Sequence, residues 1–143
     1  MMADGEFLAA LEDCTLPEDA FHHADHVRAA YLYLRAESFA AATARMTATL
    51  RRYAAAQGKP ERYHETITVA YLALVNQHLQ ERGDAGGWEG FLRDNPDLFD
   101  KRLLLHYYRP ETLSSARARQ MFLLGEFAPQ PHEAVARSTN RSS

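Results

Sequence analysis

From residue 23 to residue 82 the apolar residues return at three- and four-residue steps, interrupted only near Ser38 and at Gly58-Lys59-Pro60. That period marks helices with one buried face. The alternation of apolar and polar residues expected of strands is missing, and Ala, Leu, Glu and Arg, all good helix formers, dominate. The expected fold is all-α, a single-domain antiparallel bundle of about five to seven helices, long and short.

Local signals divide the chain. A short amphipathic helix is expected from Asp4 to Asp13, ended by Leu16-Pro17-Glu18-Asp19. A second begins within Phe21-His22-His23-Ala24-Asp25-His26 and runs to Ala36. A third follows the N-cap Ser38 and ends at Gly58. The fourth opens around Tyr63-His64 and closes at Gly83. A short helix is expected at Trp88–Arg93, and a central core helix at Leu98–Tyr108, which is apolar and broken by Arg109-Pro110. Ser114 or Ser115 caps a last helix through Met121. Residues 1–128 form the helical domain in this reading, and residues 129–143 a flexible polar tail.

Composition narrows the possible partners. With 143 residues, 46% of them hydrophobic, the chain can bury one core. Its net charge is −3, and the sixteen Lys and Arg are interspersed with acids, so no nucleic-acid partner is expected. No apolar run reaches the roughly 20 residues that cross a bilayer, and no membrane partner is expected. The one cysteine, Cys14, excludes an intramolecular disulfide and a Cys-rich zinc module. The expectation is a cytoplasmic protein acting on a small molecule, with a homodimer left open.

Clustering gives the seven histidines their interest. If alternate helices of the bundle point the same way, the starts of the second and fourth lie at one end, bringing His23, His26 and His64 together. His23 and His26 lie three apart on one helix face; His22 with His26 offers the four-residue alternative. Three imidazoles leave a position open for water or substrate, as in catalytic sites of Zn, Fe or Cu. His106 would arrive from the core helix, and His106 or Glu65 would serve as acid/base or fourth ligand. Asp25 and Glu61 are further ligand candidates. Tyr63, Thr68, Tyr107 and Arg109 are expected to touch substrate or support the ligands, and Arg117 and Arg119 to lie near the same end. His78, about 21 Å along the helix from His64, cannot share its ion, and His132 belongs to the tail.

Two motifs carry a resemblance. Phe21, His23 and His26 form Phe-x-His-x-x-His, and Tyr63, His64, Thr66 and Thr68 form Tyr-His-x-Thr-x-Thr. Over roughly residues 17 to 125 the chain resembles a group of small, mostly uncharacterised bacterial helical proteins that share both motifs. The resemblance implies a common helical fold and a common histidine site, without an activity.

The leading functional expectation is a small metalloenzyme with a mononuclear metal on His23, His26 and His64, oxidative chemistry preferred to hydrolytic. A metal-free histidine acid/base lyase or isomerase is the first alternative. A non-enzymatic ligand-binding or interaction module is the second.

Overall fold

In the computed structural model, which describes residues 2–127, every regular element is helical. The helices are α1 (Asp4–Glu12), α2 (His23–Ala36), α3 (Phe39–Ala56), α4 (Glu65–Arg82), α5 (Gly87–Asp94), α6 (Pro110–Leu113) and α7 (Ala116–Gln120). Turns of 3₁₀ helix at Glu18–Ala20, Pro60–Arg62, Pro96–Phe99 and Leu103–His106 connect them.

The boundaries follow from local chemistry. Ser38 Oγ accepts the Ala41 N–H at 3.2 Å and starts α3. Ser115, the second of the two serines proposed, caps α7 through the Ala118 N–H. Gly83 ends α4 with φ of 76°, a conformation that favours glycine because other residues place a Cβ against the carbonyl.

The centre is a three-helix arrangement in which α2 packs on both α3 and α4, and α3 on α4. Val27, Tyr31 and Tyr33 of α2 meet Met46 and Leu50 of α3 and Leu72 and Val75 of α4, with Leu11, Phe91 and Leu98 closing the core from outside. Apolar residues surround α4: Ala70 and Tyr71 bury a second face against Leu104 and Tyr108. A helix covered on two sides cannot show a single apolar stripe.

Residues Leu98–Tyr108 correct one expectation. In place of a core helix there are two short 3₁₀ turns around an extended Asp100, with Leu105 and His106 exposed. The Asp100 carboxylate accepts the Arg102 N–H at 2.9 Å, a local turn bond that competes with helical pairing, and Lys101-Arg102 splits the apolar run. The expected polar tail, His132 included, falls outside the described residues. No helix among the described residues is long and apolar enough to cross a membrane.

Candidate functional site: a histidine-lined recess

The first turns of α2 and α4 open onto the same recess. His22, His23, His26 and Val27 line it from α2 and its cap; His64, Ile67, Thr68 and Tyr71 from α4 and its cap; Met46 and Leu50 from α3; and Lys101 from its mouth. Its volume is about 360 Å³, within the range of small-molecule sites. A narrower pocket of about 150 Å³ adjoins it, between the end of α3 and the segment Lys59–His64. His26, His64, Phe21, Leu50 and Thr68 line both. The structure thus gathers the three histidines at one end of the bundle.

Their ring nitrogens are committed differently. His64 is the N-cap of α4: its Nδ1 accepts the Ile67 N–H at 3.1 Å, while Nε2 lies 2.7 Å from the Leu113 carbonyl. A nitrogen that accepts an N–H carries no proton, so the ring is a neutral Nε2–H tautomer donating to Leu113. Desolvation holds its pKa below the ordinary value; the Leu113 carbonyl opposes this and the Arg119 charge reinforces it. Both nitrogens are used.

His23 donates from Nε2 to the Leu98 carbonyl at 3.0 Å and sits edge-to-face on Tyr71, centroids 5.0 Å apart. Its Nδ1 has no hydrogen-bond partner among the described residues. The bond also ties the Pro96–Phe99 turn to α2, so His23 helps to build the wall that it lines.

The His26 ring makes no hydrogen bond among the described residues. Its ring stacks on Phe21 with centroids 4.0 Å apart. Phe21 is fixed in turn by Tyr53, edge-on at 5.3 Å, whose hydroxyl donates to the Leu16 carbonyl at 2.7 Å. The residue stays exposed to solvent along the recesses, while Phe21 covers one face of its ring and partly desolvates it. That desolvation, with a smaller push from neighbouring His23 and a counter-pull from Asp25, lowers its pKa to about 4. At neutral pH His26 is an uncharged ring with one N–H and one lone pair free.

Other expected participants are spread more widely. Tyr63 is buried in the wall of the narrower pocket, and its hydroxyl donates to Glu65 Oε1 at 2.5 Å. Burial, then the Glu65 carboxylate, keeps this phenol above its ordinary pKa. Arg51 lies over the Tyr63 ring at 4.4 Å and donates to the same Glu65 oxygen at 3.1 Å. Glu65 is held there and lines neither recess, so the structure does not bring it to the imidazoles as an acid or base. Thr68, buried on α4, does reach both recesses.

His106 is exposed at the end of the last 3₁₀ turn and lines neither recess, because the helix expected to carry it does not form. Tyr107 belongs to the second apolar cluster, and its carbonyl accepts from Glu126 and Phe127. Arg109 is exposed, with its backbone N–H on Glu126. Arg119 donates to the Glu61 carbonyl at 2.7 Å, and Asp25 caps α2 by accepting the His22 N–H at 2.8 Å. His78 bonds Asp97 from the far half of α4, away from the site as expected.

Sequence reasoning missed Lys101 altogether, since it lay inside an expected helix, and placed no weight on the walls from Phe21, Met46 and Leu50. Among the described residues no group of three or more His, Cys, Asp or Glu side chains is arranged to hold one metal ion. The chain matches no protein-family model, no curated protein and no solved structure.

Proposed function

We propose that the chain is a small helical enzyme that uses a neutral histidine, His26, as acid/base catalyst on a small molecule held between the first turns of α2 and α4. The observation that carries this reading is the free His26 ring: of the three clustered imidazoles it alone has no hydrogen-bond partner, and it lines both recesses. Exposed along the recesses, its nitrogens carry water that a bound molecule can displace to reach them. Open to a bound molecule, the ring can accept a proton at its lone pair and return it to another atom of the same molecule, as a lyase or isomerase requires. His64 and Tyr63 serve as frame, and Thr68 offers a hydroxyl to the substrate.

One observation favours a second reading. The His23 N–H on a backbone carbonyl is the arrangement that orients a metal-ligating imidazole through its other nitrogen. A divalent ion would then rest on His23 and His26, with His64 joining only if it gave up the cap of α4.

The two readings separate on chelation. Protein purified without a histidine tag and treated with EDTA is incubated with a panel of small carboxylic acids and amides, with products followed by mass spectrometry. The first reading predicts turnover that chelation leaves intact and that His26→Ala lowers by about a hundredfold or more. Activity lost to EDTA and restored by one added ion would transfer the role to a metal; binding with no product in either sample would make the chain a ligand-binding module.

A further inference from the structure

We infer that the larger recess recognises a small organic carboxylate with an apolar body, its charge held by Lys101 at the mouth. This deepens the proposed function by naming its substrate class. The lining of this recess contains no carboxylate: its polar side chains are four imidazoles, the Thr68 and Tyr71 hydroxyls, and the Lys101 ammonium. Lys101 has no ion pair or side-chain hydrogen bond among the described residues. Asp25 accepts the His22 N–H and Asp100 the Arg102 N–H, and neither lies within ion-pair distance of Lys101. By contrast, Lys59 and Arg62 beside the narrower pocket are both paired with the Glu18 carboxylate, which offsets one of their two charges.

Position supports the assignment. Two bonds pin the segment leading to Lys101 onto the site, one from His23 to the Leu98 carbonyl at 3.0 Å and one from the Tyr71 hydroxyl to the Asp100 carbonyl at 3.3 Å. The lysine therefore starts from a fixed backbone at the edge of the recess. Val27, Met46, Leu50 and Ile67 supply the recess with apolar lining. An anion with a hydrocarbon or aromatic body meets both demands, since the wall takes the body and the ammonium replaces water at the carboxylate. A doubly charged phosphate has no use for the wall and would face one lysine alone.

Benzoate and its uncharged analogue benzamide test this. Each is titrated into the full chain at neutral pH, and amide NMR shifts of Val27, Ile67 and Thr68 are followed. The expected result is that benzoate moves these resonances with an affinity at least about tenfold above benzamide. Lys101→Met removes that advantage, Lys101→Arg keeps most of it, and neither changes benzamide binding. Equal affinities, indifference to Lys101→Met, shifts centred on Lys59 and Arg62, or Lys101-dependent binding of inorganic phosphate in preference to benzoate would each overturn the inference. Carboxylate binding through Lys101 without turnover of any acid would leave the inference standing and defeat the catalytic reading. Turnover of neutral compounds indifferent to Lys101 would do the reverse.

Discussion

Partial desolvation of the His26 ring, with the neighbouring His23 adding to it, lowers its pKa from 6.5 to about 4. The unfolded chain therefore binds a proton at this residue that the folded chain refuses as pH falls through that interval. Folding stability contributed by His26 is fully present above about pH 6.5 and declines towards pH 4. Denaturation midpoints measured across that window are expected to fall less steeply in His26→Gln than in the parent, and parallel slopes would show that the ring is not held neutral. His64 has a different duty. Replacing it with Ala removes the cap of α4 and is expected to cost about 0.5–2 kcal/mol, whereas His64→Asn, which can still accept the Ile67 N–H, should recover most of the loss in denaturant unfolding.

At the scale of elements, α4 depends on a bond that neither histidine motif predicts. Buried Thr66 accepts the Leu123 N–H at 3.1 Å and donates to the Met121 carbonyl at 2.8 Å, fastening the segment after α7 to the first turn of α4. Thr66→Val keeps the shape but strands both backbone groups. Its expected cost is about 1–3 kcal/mol, with faster hydrogen exchange at the Leu123 amide. The long helices were legible because Ser38, Gly58 and Gly83 sit where capping chemistry requires them, and because α2 and α3 each carry a clear apolar period. The run Leu98–Tyr108 was not: its apolar content suggested burial, but the Asp100 carboxylate bonding two residues ahead decides the backbone, and hydrophobicity carries no record of that bond. The same turn explains why His106 was misplaced and Lys101 overlooked. The histidine cluster itself was readable, since it needed only helix direction; the hydrogen bonds that separate free His26 from committed His23 and His64 depend on Leu98 and Leu113, each distant in sequence from its histidine.

For the molecule as a whole, the parallel start of α2 and α4 is what makes a site. The three helices pack on one another, and the first turns of α2 and α4 meet the α3–α4 connection at one end, where the recess is walled by Met46, Leu50 and Ile67. Substituting the wall should separate binding from folding: Ile67→Ala, at a half-buried position, is expected to weaken benzoate binding several-fold while far-UV circular dichroism stays unchanged. The central claim is that the His26 imidazole is free and neutral while His23 and His64 are committed to backbone groups. Long-range ¹H–¹⁵N NMR of the histidine rings at neutral pH, before and after EDTA, reads this directly. The structure predicts a locked Nε2–H tautomer at His64, and the acid/base reading a neutral His26 averaging between tautomers, with spectra indifferent to chelation. Ligated nitrogen shifts at His23, His26 and His64 that vanish with EDTA, or a His26 that is charged at pH 6, would contradict it.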